Sequence, residues 1–262
     1  MRKFWALLLV GAGLSIAAEL PHKLEGVRIE ERLGATVPAS PAVFRDETGK
    51  EIPFSALFDG KRPVILVIAY FRCPMLCGLV QGAVVNGVNG MGLTAGADYR
   101  IVTVSMDPKD TVVEAAKNAG RYRALLKNRT GDDAWTFLTG ETPEIRKVAD
   151  AAGFIYRYDP ASGEYLHAAG IFVLTPRGKI SRVFTGALYK SFDLKLALLE
   201  AKEGLARSAA EHFLLYCYQY NPKQEGYGLK AMVLMRLGGA LAVLSLVLLF
   251  ILLTRPKKTK PA

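Results

Sequence analysis

Pro63-Val64-Ile65-Leu66-Val67-Ile68-Ala69-Tyr70-Phe71-Arg72-Cys73-Pro74-Met75-Leu76-Cys77 is the stretch on which the fold of this chain turns. From Val64 to Phe71 every residue is apolar and many are β-branched, so no face is left for water, which suits a strand covered on both sides. Cys73 falls just where that run stops. Cys77 follows four positions later, and a helix starting at this junction brings both sulfurs to one face.

Reading outward, Leu79 to Val88 is apolar and helical in character, and Tyr99 to Ser105 alternates as a second strand, which completes a βαβ unit. Asp110 and Thr111 are placed to cap a helix from Val112 to about Lys127. Trp135 to Leu138 reads as a short strand, and Thr142 as the cap of a helix running through Ala152. Ala169 to Leu174 and Lys179 to Thr185 are strand-like and joined by Pro176-Arg177-Gly178, a hairpin signal, before a closing helix from Phe192 to about Leu215. Upstream, Glu19 to Leu57, with Pro38, Pro41 and Gly49, reads as an extended lead-in with a small hairpin. The expected fold class is α/β, a thioredoxin-like sandwich with a C-terminal transmembrane helix.

The two ends carry their own signals. Met1-Arg2-Lys3, an apolar stretch from Phe4 to Leu14, and the small residues Ser15, Ala17 and Ala18 have the layout of a secretory signal peptide. Leu237 to Thr254, extended upstream by Ala231 to Met235, reaches the roughly 20 residues a helix needs to cross a bilayer. The basic tail Arg255-Pro256-Lys257-Lys258-Thr259-Lys260 favours the cytoplasmic side, so the domain before the span faces outward. The expected organisation is a signal peptide at 1–18, a thioredoxin-like domain at 19–205, a juxtamembrane segment at 206–228, a transmembrane helix at 229–254 and a cytoplasmic tail at 255–262. Such a chain sits in the inner membrane with its main domain on the periplasmic side.

The formal charge of +10 would favour nucleic acid if it covered a folded surface, but Arg2, Lys3, Lys230, Arg236, Arg255, Lys257, Lys258 and Lys260 all lie at the ends. Without those eight cations the remaining charge is +2. A nucleic-acid partner is therefore not expected.

Cys73, Cys77 and Cys217 are too few for a disulfide framework, which turns attention to metal or redox chemistry. Cys73 and Cys77 can share a metal or form a disulfide, and helix N-terminal N–H groups should lower the pKa of both thiols. Two soft thiolates plus one imidazole would make a three-coordinate site for Cu(I) or Cu(II). Of the three histidines, His22 follows the signal peptide and His212 lies near the membrane. His167, before the strand at Ala169, is the best-placed third ligand. Cys217, in an aromatic cluster beside the span, is open between a resolving thiol, an interchain link, a copper relay and an idle residue.

Several pieces in order resemble the Sco/SenC family of copper proteins: Gly60-Lys61-Arg62-Pro63, Cys73-Pro74 with Cys77, Ser105-Met106-Asp107-Pro108-Lys109-Asp110-Thr111, and Tyr165-Leu166-His167 before Phe172-Val173-Leu174 and Gly178-Lys179. The resemblance covers roughly Phe44 to Leu199. It implies a thioredoxin-like fold and copper bound by Cys73, Cys77 and His167. It also implies a role in assembling the copper centre of cytochrome c oxidase, with subunit II or a similar protein as recipient. The other expectation is a thiol-disulfide oxidoreductase using Cys73 and Cys77 as its redox pair. Asp107 is read as a structural acceptor that fixes a turn. The chain departs from the family in three ways: Gly78 replaces a usual proline, Met75 and Leu76 occupy a loop that commonly carries an acid, and the anchor is C-terminal. Met75 is read either as packing or as an additional soft ligand.

Overall fold

The computed structural model describes residues 26–38, 40–73, 75–206, 239, 241 and 243–246. The chain divides into two units, Met1–Ser208 and Ala209–Ala262.

In the first unit the strands are β1 (Arg28–Ile29), β2 (Val43–Arg45), β3 (Glu51–Pro53), β4 (Val64–Ala69), β5 (Arg100–Ser105), β6 (Trp135–Leu138), β7 (Phe154–Ile155), β8 (Arg157–Asp159), β9 (Glu164–Leu166), β10 (Gly170–Leu174) and β11 (Ile180–Thr185). The helices are α1 (Leu76–Asn89), α2 (Val112–Ala124), α3 (Thr142–Ala152) and α4 (Ser191–Lys202). Five strands form the central sheet in the order β11-β10-β4-β5-β6. Strands β4, β5 and β6 run parallel, while β10 is antiparallel to both β4 and β11. This is the thioredoxin-like arrangement expected from the sequence, with a βαβ unit on one side and an antiparallel hairpin on the other.

Every residue of β4 and of β10 is buried, so the middle of the sheet is covered on both faces, as the unbroken apolar run requires. Each large aliphatic side chain buried there is worth about 1.5–3 kcal/mol. The chain enters β4 through Asp59, whose carboxylate accepts the N–H groups of Lys61 and Arg62 and the Arg62 Nε at 2.6 Å. Burial alone would raise the Asp59 pKa, but these donors hold it down to about 2. The family-like Gly60-Lys61-Arg62-Pro63 segment is thus a turn that aims the first core strand.

Thr111 caps α2 in a reciprocal box with Glu114, as its position before Val112 implies. Three boundaries differ from the sequence reading. Helix α2 ends at Ala124 rather than near Lys127. Thr142 is the first helical residue of α3 rather than its cap, with Glu141 at the N-cap and Pro143 opening the helix. Helix α4 ends at Lys202, because Glu203 caps it and Gly204 takes a left-handed φ of 76°, so the expected continuation to Leu215 does not hold through this point. The expected small hairpin is β2–β3. The lead-in also pairs β1 with β7.

In the second unit, residues 239, 241 and 243–246 are helical, with Leu241, Val243, Leu244 and Leu246 exposed. Among the described residues no helix is long and apolar enough to cross a membrane. The expected signal peptide at 1–18 and all but the first residue of the expected juxtamembrane segment at 206–228 lie outside the described residues, as do His22, His212, Cys217 and most of the expected span at 229–254.

Candidate metal centre

Strand β4 delivers Cys73 and helix α1 delivers Cys77, as the spacing requires. The third member comes from far away in sequence. His167 follows β9, the second strand of the β8–β9 hairpin, and the hairpin sets its ring against the cysteine pair: Nε2 lies 3.4 Å from Cys77 Sγ. The ligand atoms of Cys73, Cys77 and His167 all fall within 4.8 Å of one another. Among the described residues this is the group of such side chains placed to hold a metal ion.

The imidazole is held by its other nitrogen. Nδ1 lies 3.0 Å from the Ala168 carbonyl, an oxygen that can only accept, so Nδ1 donates there and Nε2 is the ring nitrogen turned to the sulfurs. Tyr70 and Phe154 flank the ring, with centroids 6.3 and 5.8 Å away.

The two sulfurs differ. Cys77 is buried, and its Sγ accepts the Tyr70 N–H at 3.4 Å; Cys73 is half-exposed, and its Sγ accepts the Cys77 N–H at 3.4 Å. Hydrogen bonding from Cys77, against the cost of burial and aided by His167 and the N–H groups of Cys77 and Met75, pulls the Cys73 thiol down to about 3. The same hydrogen bond to Cys73, together with burial, pushes Cys77 far up. The expectation that both thiols are lowered is therefore corrected: two sulfurs this close share one negative charge, and the less buried one carries it.

In the reduced, metal-free protein, iodoacetamide is accordingly expected to modify Cys73 at a rate nearly flat between about pH 8 and about pH 5. A lowered thiol pKa preserves the thiolate down to the folded-state value, so reactivity should fall only as pH nears that value. Peptide mapping of the label checks the site. A tenfold loss per pH unit just below the ordinary thiol range, roughly 8.5, would contradict it.

The cysteine loop is braced from below. Asp110, buried, accepts the Phe71 N–H at 2.6 Å, the Ser105 hydroxyl at 2.6 Å and Arg72 Nε at 2.9 Å. Arg72 also pairs with Asp107 at 2.8 Å and approaches Glu114 at 3.4 Å. Asp107 takes the Lys109 N–H at 2.9 Å, the turn-fixing role expected of it. The Ser105–Thr111 segment therefore does two jobs, fastening the Cys73 loop and capping α2.

Sequence reading missed the β8–β9 hairpin and the Arg72 brace. Alternating Arg157-Tyr158-Asp159 and Glu164-Tyr165-Leu166 around Pro160 and Gly163, the latter at φ 72°, are the signal that locates the hairpin. Met75 neither packs nor is shielded: it is 70% exposed, which corrects its reading as a packing residue.

The sequence pattern of the SCO1/SenC family matches residues 41–192, more than half the chain, and that stretch holds all three clustered residues. The chain belongs to the SCO1/SenC family. No curated protein sequence matches it significantly. Among solved structures, a protein of Aquifex aeolicus VF5 is 23% identical with a TM-score of 0.58, over 67% of this chain and 97% of that one. Arabidopsis thaliana ScoI with copper bound is 18% identical with a TM-score of 0.50, over 63% and 98%. BsSco, described as a member of the Sco family of cytochrome c oxidase assembly proteins, is 21% identical with a TM-score of 0.52, over 67% and 98%. At these identities the likeness to the Sco structures is one of fold. The SCO1/SenC match to this chain rests on the sequence itself.

Proposed function

We propose that this chain is a copper carrier for the assembly of a cytochrome oxidase copper centre, tethered to the inner membrane with its thioredoxin-like domain on the periplasmic side. The observation that carries the reading is the convergence of two sulfurs and an imidazole nitrogen within 4.8 Å, with Nε2 of the imidazole turned to the sulfurs. Two thiolates and one neutral nitrogen suit a soft ion, and Arabidopsis thaliana ScoI, similar in fold, has copper bound. Cys73 already holds a thiolate, so binding Cu(I) requires one proton to leave Cys77.

The recipient is proposed as cytochrome c oxidase subunit II or a similar copper-accepting protein, following the assembly role described for BsSco. The tether is proposed as the apolar helix at 229–254; the exposed, helical Leu241, Val243, Leu244 and Leu246 support it. Export by the 1–18 segment gives the same topology.

A second reading, thiol-disulfide exchange on an exported partner, is favoured by the unequal thiols: a partly buried thiolate at Cys73 to attack and a buried thiol at Cys77 to resolve. Loading decides between them. The reduced full chain in detergent, incubated with Cu(I) and desalted, is expected to retain about one ion per chain, with one proton released per ion. Retention of no copper would end the carrier reading.

A further inference from the structure

The metal centre has a closed side and an open side. Cys77 is 1% and His167 8% exposed, Cys73 is half-exposed, and Met75, two residues on from Cys73, is 70% exposed. The Met75 carbonyl accepts the Leu79 N–H at 3.2 Å, and the Cys77 N–H, two residues on, bonds to the Cys73 sulfur at 3.4 Å. The Met75 backbone is thus fixed at the start of α1, while its side chain is left in solvent. Met91 and Met106, by contrast, are buried in the core and fill space. A thioether left out of the core beside a cluster of two thiols and an imidazole gains nothing from packing, but it is a soft donor that needs no deprotonation.

We propose that Met75 is the transfer ligand of this centre, taking Cu(I) on its open side as the ion enters and leaves. The proposal rests on the copper reading above. On exit, a bond from Cu(I) to the Met75 thioether forms as the bond to His167 Nε2 breaks, while both thiolates stay bound. A neutral ligand replaces a neutral ligand, so the charge of the site is unchanged and no electron or proton moves. The ion shifts from the buried imidazole toward solvent without ever being bare, and a recipient's ligands can then approach from the side that is open. Leu79, one turn along α1 and 55% exposed, extends the same rim with apolar surface for that approach.

The test uses the full chain in detergent loaded with Cu(I), with bathocuproine disulfonate as the chromophoric acceptor. Met75→Leu keeps the size and apolarity of the side chain and removes the sulfur. It is expected to retain one Cu(I), with an affinity within about threefold of the parent, and to transfer the ion roughly tenfold more slowly. A second measurement reads the bond itself. In selenomethionine-labelled His167→Ala, where Met75 should take the vacated position, copper-edge absorption is expected to show a copper–selenium contact that disappears in His167→Ala/Met75→Leu. Transfer by Met75→Leu at the parent rate, or no selenium contact in His167→Ala, overturns the proposal while leaving the copper site standing. A parent chain that binds no Cu(I) overturns both, and that outcome is read before any variant is made.

Discussion

His167→Ala is expected to weaken Cu(I) binding by at least roughly tenfold to a hundredfold while leaving the fold and both thiols in place. Changing a group that merely orients a metal-bound histidine costs about that much in other sites, and removing the ligand itself should cost no less. The ring is not a keystone of the core: it lies beyond the end of β4 against Tyr70 and Phe154, and its polar contacts are the neighbouring Ala168 carbonyl and the Cys77 sulfur. Competition titration against a Cu(I) chelator reads the affinity, and circular dichroism confirms the fold. Comparison with Cys77→Ser then separates the two functional readings. A copper carrier loses oxidase assembly in cells with either change. A thiol-disulfide oxidoreductase loses it with Cys77→Ser and keeps it with His167→Ala, because exchange between two sulfurs needs no imidazole ligand. Unchanged Cu(I) affinity in His167→Ala would remove the histidine from the site.

Local pattern and long-range placement were unequally legible in the sequence. The β4 run has no polar face and therefore had to be a covered strand, and Cys73 and Cys77, four apart at its end, had to share one helix face. Thr111 before Val112 announced its cap. By contrast, the separation of the two thiols into a thiolate and a thiol depends on the hydrogen bond between the two sulfurs and on the burial of Cys77, which outweigh the Tyr70 N–H that favours its thiolate, and spacing alone does not specify that burial. His167 was nominated by its place before β10, but what holds it there is the β8–β9 hairpin, whose two short strands carry too few apolar residues to register against the stronger runs nearby. Arg72 reads in sequence as one more exposed cation. Its role arises from Asp107, Asp110 and Glu114, more than 30 residues distant and brought under the cysteine loop by the parallel pairing of β4 with β5.

That brace gives the second large effect, expected on replacement of Asp110 by alanine. The carboxylate is buried and satisfies the Phe71 N–H and the Ser105 hydroxyl as well as Arg72. Burial pushes its pKa up, and those three donors offset this only in part, so the group is held in place by partners rather than by solvent. Arg72 is nearly half-exposed and can recover water when its partner is removed, but the Phe71 N–H cannot do so as easily, and the buried Ser105 hydroxyl is left with only the longer contact to the Asp107 carbonyl at 3.3 Å. Two buried donors left short of an acceptor, at about 1–3 kcal/mol each, put the expected loss near 3 kcal/mol. For a domain of this size that corresponds to a fall in Tm of about 6–12 °C, readable by calorimetry. Asp110→Asn keeps one acceptor oxygen at nearly the same position and should recover about half of the loss. Because Phe71 and Arg72 directly precede Cys73, the alanine variant should also bind Cu(I) more weakly although no ligand has changed, and the asparagine variant should restore part of that affinity. An unshifted Tm in Asp110→Ala would mean that the β4 strand holds the cysteine loop unaided.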